Sequence, residues 1–373
     1  MVISKVIMII MAVFFTLGAL DRLFMNKFGM GSEFERAWGL MGPTALSILG
    51  MLVLAPTLAG WLQRALTPVF SLIHADAAML VGSLLSCEIS TPLAEAMTDN
   101  IQIAHYSGLI VGTVMGFIIS FTIPVACGLI KKEDYRPFGT GILAAYICDP
   151  VACFIGGLLM GLPFLTALLN IIPVVIIAVI IVLGLLFAPE GTIRVFRWFA
   201  RILLAIITIG LIAAAIQAMT GFVIIPNLEP ISDGFKTVGT IVLSLAGSLP
   251  LLFVLQKILH RPLEKLGKKL GVNDVTMLNM VVGLTSLVPG YSNFCNMNSR
   301  GKVIFAAFSA SAGCMFGCHL AVTSSFGPDV VVPMLIAKVC AGVFAICMAS
   351  YFYRRIFGSA AEETAAETET PEA

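Results

Sequence analysis

Nine times between residues 3 and 353 the sequence stays apolar for long enough to cross a lipid bilayer, which takes about 20 residues of helix. The runs fall at roughly 3–20, 38–60, 104–130, 138–161, 164–188, 199–221, 237–257, 301–326 and 331–353. Inside a bilayer no water reaches the backbone N–H and C=O groups, so each run must bond its own backbone, and a helix does this within one segment. The expected fold class is an all-α polytopic integral membrane protein with about nine full spans. Charge agrees: 12% of the 373 residues are charged and 59% are hydrophobic, against roughly 25% charged in an ordinary soluble domain. The first run, MVISKVIMIIMAVFFTLGALDR, is longer than a signal-peptide core and leads into no small-x-small cleavage pattern, so it reads as the first membrane helix. One transmembrane domain is expected over residues 1–357, followed by an acidic tail, 358–373, whose lack of hydrophobes predicts disorder.

Two further apolar segments, 76–99 and 274–298, are interrupted by proline, glycine and polar residues. They are expected to be broken or re-entrant hairpins. The first holds Ser86-Cys87-Glu88-Ile89-Ser90-Thr91-Pro92. Irregular backbone at membrane depth persists only where protein or a water-filled cavity surrounds it, and an acid there points to a functional site. The two segments also resemble each other: Asp76 matches Asp274, Met79-Leu80 matches Met277-Leu278, and a Gly-Ser/Thr-rich centre leads to Pro92 in one and Pro289 in the other. Each is followed by a Gly/Ser-rich run. An inverted repeat is expected, one unit over about 38–130 and the other over about 237–326; discontinuous helices at matching places in such units mark the binding sites of secondary transporters.

Lysine and arginine give the orientation. The loops around 21–36, 131–137, 189–201 and 257–269 are basic, and Arg354 and Arg355 follow the last run; 61–75, 222–236 and 327–330 are poor in basic residues. Nine spans put all the basic loops on one side only if both broken segments return to the side they left. The N-terminus is then outside and the C-terminus cytoplasmic.

The candidate solute ligands are Ser86, Glu88, Ser90 and Thr91 in the first hairpin and Ser286, Tyr291, Ser292, Asn293 and Asn296 in the second. Asp149, His319, Ser83 and Thr285 are candidates for the path or for coupling. One acid among hydroxyls and amides suits a small cation with its own hydroxyl: the ammonium on Glu88, the hydroxyl on Asn or Ser, with a cation–π contact from Tyr291. Asp149 either lines the path or bonds backbone freed at a helix break. Asp76 and Asp274 are expected to cap the hairpin helices, and His105 and His319 to be buried, hydrogen-bonded histidines. Lys338, inside the last run, either snorkels or pairs with an acid.

Nine cysteines sit almost entirely in apolar runs. Cys314, Cys318 and His319 are spaced for a metal, but cysteine in such runs is ordinarily a small packing residue, so no metal, cofactor or disulfide framework is expected. The absence of GxxxxGK[ST], HExxH and GxSxG patterns argues against an enzyme or a nucleotide-driven pump. A formal net charge of +1 gives no footprint for nucleic acid.

Several stretches together resemble the ethanolamine permease family of the bacterial ethanolamine-utilisation system: Asp21-Arg22, Phe34-Glu35, Met41-Gly42, Leu54-Ala55-Pro56, Cys87-Glu88, Tyr106-Ser107-Gly108-Leu109-Ile110, Ile123-Pro124-Val125-Ala126, the run from Leu204 to Ala214, Arg300-Gly301-Lys302-Val303-Ile304 and His319-Leu320. They spread over nearly all of residues 1–357. The chain departs from the family at Glu88, where the family tends to have Asp, at Cys318, where Asp tends to precede the histidine, and at Ser286-Leu287-Val288-Pro289, where Asn-Asn-Ile-Pro is usual. The resemblance implies transport of ethanolamine or a related small amine across the bacterial inner membrane, with proton or sodium coupling and homo-oligomer formation left open, and an elevator-like arrangement by analogy of fold. The alternative is an ion-coupled transporter of another small polar metabolite, such as a nucleoside or a carboxylate.

Overall fold

The computed structural model describes residues 2–358, and every regular element among them is a helix. The expected tail lies, from residue 359 onward, outside the described residues. Seven helical segments are long and apolar enough to cross a membrane: Lys5–Leu23, Met30–Ser71, Lys132–Leu159, Phe164–Phe187, Arg194–Thr220, Ile231–Ile258 and Pro328–Ile356. An eighth is a pair, Ile101–Gly116 and Ile118–Leu129, bent by 43°.

Two of the nine expected spans are therefore not straight helices. The run 104–130 is the bent pair, and most of it winds as π-helix, over Tyr106–Gly116 and Ile118–Thr122, between α6 (Ile101–His105) and α7 (Ile123–Leu129). The run 301–326 divides at residues 313–317, where the backbone leaves helical geometry. Here Cys314 N and Phe316 N donate outward, to the carbonyls of Gly283 and Leu284 at 2.8 and 2.9 Å. The break thus satisfies the orphan carbonyls at the end of a neighbouring helix.

The helices sort into two groups. The first, a frame, comprises α1 (Val2–Leu23), α2 (Met30–Gly39), α3 (Met41–Ser71), α10 (Pro189–Thr220) and α11 (Ile231–Leu270), which pack on one another. The turn from α1 to α2 is set by Asp21, whose carboxylate accepts from Phe28 N at 2.9 Å and Gly31 N at 2.8 Å.

The second group carries the broken segments. Hairpin one consists of α4 (Ala78–Leu84) and α5 (Cys87–Met97), separated by extended backbone at Leu85 and Ser86. Hairpin two consists of α12 (Asp274–Gly283) and the short α13 (Val288–Ser292). With them pack the π-helical run, α8 (Tyr135–Leu159), α14 (Ser299–Ala312), α15 (Cys318–Phe326) and α16 (Val331–Ile356). α9 (Phe164–Phe187) leans on α8 and exposes Val175, Ile176, Val179, Ile180, Leu183 and Leu186, the apolar surface expected of a lipid-facing helix.

Each hairpin is tied at its base. Thr98 Oγ1 donates to Asp76 Oδ2 at 2.7 Å, and Asn273 Nδ2 donates to Asn296 O at 2.9 Å while Asn298 Nδ2 donates to Gly271 O at 3.1 Å. The chain therefore doubles back within each broken segment. Asp76 caps as expected, accepting from Ala78 N at 2.8 Å. In the second hairpin the cap is one residue earlier than expected: Asn273, not Asp274, accepts from Thr276 N.

Hairpin one lies directly against the π-helical run because glycine removes the side chains between them. A Cβ on Gly116 would stand 2.0 Å from Leu85 O and 2.4 Å from Gly82 O. Close backbone approach through small residues is how helices associate in lipid, where burial of apolar surface supplies no drive.

Candidate functional site

The tips of the two hairpins meet at a cavity of 430 Å³. Hairpin one contributes Ser86, Glu88 and Ile89, hairpin two Thr285 and Ser286, and the break between α14 and α15 contributes Cys314, Gly317 and Cys318. Ser120 and Phe121 come from the second π-helical run. The frame closes the other side with a mainly apolar wall, Ile48 of α3, Leu203 and Ile207 of α10, Ile241, Leu245 and Leu249 of α11, in which Thr44 and Ser47 of α3 are polar. Arg36 lines the cavity as well, its guanidinium paired with Glu33 at 3.0 Å.

Local chemistry fixes each tip. Ser86 N donates to Ser120 Oγ at 2.9 Å, and that hydroxyl in turn donates to Gly116 O at 2.8 Å. Glu88 sits in the first turn of α5, where a carboxylate is favoured by the unpaired N–H groups and the helix dipole. Its Oε2 is buried and has no protein partner. Thr285 Oγ1 donates to Val282 O at 2.9 Å.

Four of the expected residues, Ser86, Glu88, Thr285 and Ser286, therefore share the cavity. Others do not line it. Ser90, two residues after Glu88, is turned about 200° around α5 from it, and both Ser90 and Thr91 pack against the π-helical run instead. There Ser90 Oγ donates to Gly108 O at 3.4 Å, and a Cβ on Gly108 would stand 2.5 Å from Thr91 Cα. They join α5 to the π-helical run. Ser83 bonds back to Met79 O at 2.7 Å.

Tyr291 is fully buried among Phe138, Phe294 and Phe305, with ring centroids 5.4–5.9 Å away, and its hydroxyl shares a 2.6 Å hydrogen bond with Ser309 Oγ. It is a core residue, so the expected cation–π contact with solute is not made here. Ser292, Asn293 and Asn296 are exposed, and Asn296 lies at the tied base of hairpin two instead of its tip.

Behind the tips is a buried polar layer. Asp149 is fully buried and accepts from Ser311 Oγ at 2.7 Å, with its other oxygen unpartnered. Lys338 is fully buried too: it neither snorkels nor forms an ion pair among the described residues, and its ammonium donates to Thr113 O at 2.7 Å, 5.7 Å from the Phe117 ring centre. Outside that layer, His105 is hydrogen-bonded as expected, to Glu95 at 3.0 Å, but is only partly buried. His319 is buried as expected, but neither ring nitrogen has a partner, and its ring stands edge-on to Phe117 at 4.4 Å.

The sequence reading missed Ser120, the cavity-lining Cys314 and Cys318, and the frame wall. Gly313 and Gly317, four apart in an apolar run, were the available signal for the break. The wall carries no signal, because its residues are ordinary membrane-helix residues.

A family profile described as "Ethanolamine utilisation protein, EutH" matches residues 3–352. A relative from Listeria monocytogenes, named "Probable ethanolamine permease EutH", is 39% identical over 368 residues, covering 98% of this chain and 99% of the relative. A Salmonella typhimurium protein of the same name is 35% identical, covering 93% of this chain and 95% of its own length. The Bacillus subtilis "Uncharacterized protein YxeR" is 33% identical over 94% of this chain and 95% of its own length. No solved structure matches. With the profile spanning the membrane helices, both hairpins and the cavity between them, the chain belongs to the EutH family of ethanolamine utilisation proteins.

Proposed function

We propose that this protein carries ethanolamine across the bacterial inner membrane, as a permease and not an enzyme, through the cavity between the hairpin tips and the frame. The observation that carries the reading is the meeting of two hairpin tips and a helix break around one carboxylate, Glu88, whose buried oxygen no protein group satisfies. Ethanolamine is mainly the ammonium form near neutral pH. Its charge would pair with Glu88 and its hydroxyl with Ser86, Thr285 or Ser286, replacing water that the solute sheds. The names of the relatives support the same solute.

The two faces of the cavity differ, and that supports an elevator-like mechanism. The hairpin group brings the carboxylate and the tip hydroxyls, while the frame, apart from Arg36, Thr44 and Ser47, offers apolar side chains such as Ile48, Leu203, Ile207, Ile241, Leu245 and Leu249. A hairpin body sliding past such a wall gives up few polar contacts, chief among them the hydrogen bond from Gln63 Nε2 of α3 to Met97 O of α5. The inverted repeat of 38–130 and 237–326, and an external N-terminus with a cytoplasmic C-terminus, belong to the same reading; the tied bases of both hairpins support it, since each then returns to the side it left.

The test is uptake of labelled ethanolamine by proteoliposomes containing only this protein, with and without proton and sodium gradients. Saturable uptake displaced by excess unlabelled ethanolamine is expected. A second reading, a larger polar solute such as a nucleoside with Glu88 serving ion coupling, draws on the cavity volume, which exceeds the needs of so small an amine. Displacement of label by a nucleoside but not by ethanolamine would select it.

A further inference from the structure

One cluster at the tip of hairpin one is not used by the amine alone. The Sγ of Cys87, a carboxylate oxygen of Glu88 and a ring nitrogen of His319 all lie within 4.8 Å of one another. Cys87 and His319 are completely buried, both nitrogens of His319 are unpartnered, and so is Glu88 Oε2. Buried polar groups in native interiors are nearly always bonded, and those that are not call for an explanation such as a bound ion. Two such groups beside a buried thiol, contributed by two segments far apart in sequence, share one explanation.

We propose that Cys87, Glu88 and His319 form a site for a borderline-soft divalent transition ion, best matched by Zn²⁺, whose occupancy competes with the amine for Glu88. The donor set selects the ion. Thiolate and imidazole suit Zn²⁺ and its neighbours, whereas Ca²⁺ and Mg²⁺ require oxygen ligands. Charge selects the valence: Cys87 as thiolate and Glu88 as carboxylate supply two negative charges and neutral His319 none, so a divalent ion leaves the site neutral. The N-terminal ends of α5 and α15 oppose a bare cation, as does the ammonium of Lys338 beside the same Phe117 ring that His319 touches, and the two anionic ligands offset them. Binding releases the Cys87 proton to solvent.

Geometry leaves a modest adjustment. Bond lengths of about 2.0–2.3 Å put ligand atoms of a tetrahedral ion roughly 3.3–3.7 Å apart, so the cluster must contract by about 1 Å at its widest, within the reach of the three side chains' torsions. Three protein ligands leave a fourth position open, and Glu88 brings that position to the edge of the cavity. An ion there would pin hairpin one to α15 and hold the carboxylate away from the amine.

The test uses the purified full-length protein with the exposed Cys295 and Cys347 replaced by serine. Co²⁺ titration should give a thiolate-to-cobalt charge-transfer band saturating at one equivalent and abolished by added Zn²⁺. Cys87→Ser should remove the band, His319→Gln should weaken binding at least tenfold, and Cys340→Ser, outside the cavity, should leave the band in place. Thermal melting of each variant without metal reports folding. No band in the parent protein, or a band that survives Cys87→Ser, overturns the site. A second arm rests on the ethanolamine reading: Zn²⁺ should inhibit amine uptake by the parent protein and at least tenfold less by Cys87→Ser, and equal inhibition of both overturns the competition. If no amine is taken up at all, the function proposed above fails while the cobalt spectrum still decides the site.

Discussion

Replacing Glu88 with glutamine is the sharpest test of how the amine is held. Two unit charges 3–4 Å apart attract by about 4–5.5 kcal/mol at an effective dielectric of 20. Stripping water from the ammonium takes back much of that, and hydrogen bonds to charged groups are worth about 1.5–3 kcal/mol net. Glutamine preserves shape and one acceptor but removes the charge. No lysine or arginine pairs with Glu88 among the described residues, so no cation of the protein is stranded by the change. The expected loss is about 2–3 kcal/mol, a rise in Kd of about 30- to 150-fold. Equilibrium binding of labelled ethanolamine to purified protein measures it, with thermal melting as the folding control. Glu88→Asp withdraws the carboxylate by one C–C bond, about 1.5 Å, and should stay within about tenfold of the parent. A Glu88→Gln protein that binds ethanolamine within threefold of the parent refutes the reasoning, because a charge contact of the stated strength could not then exist.

Three further outcomes follow from the packing. Gly116→Val places a Cβ 2.0 Å from Leu85 O; the tip must retreat by about 1 Å, with the 1–3 kcal/mol penalty of overpacking, and both melting temperature and ethanolamine affinity should fall, unchanged values in both counting against the close approach. Asp76→Ala removes the Thr98 tie and the Ala78 cap and should cost about 1–2 kcal/mol of stability, seen in a denaturation midpoint, with protease sensitivity rising around residues 98–100. Tyr291→Phe leaves Ser309 without its 2.6 Å partner and should cost about 1 kcal/mol with no change in KM for uptake; a raised KM would restore Tyr291 to the solute site.

The sequence alone determined that this is a polytopic helical membrane protein, because runs of spanning length leave the backbone no other way to satisfy itself in lipid. It also located both chain breaks that form the hairpins and singled out Glu88, since proline, hydroxyl residues and an acid inside an apolar run are legible without coordinates. What it left undecided is which face each polar residue presents. Ser90, Thr91 and Tyr291 sit within a few residues of tip positions, yet a fraction of a helical turn separates structural bonding from cavity lining, and only packing sets that rotation. His319 was legible as buried but not as unpartnered, because its neighbours Cys87 and Glu88 lie more than 200 positions earlier. The frame wall was likewise beyond reach: leucine and isoleucine are the ordinary residues of any membrane helix, so only the folded arrangement distinguishes a cavity wall from a lipid-facing side.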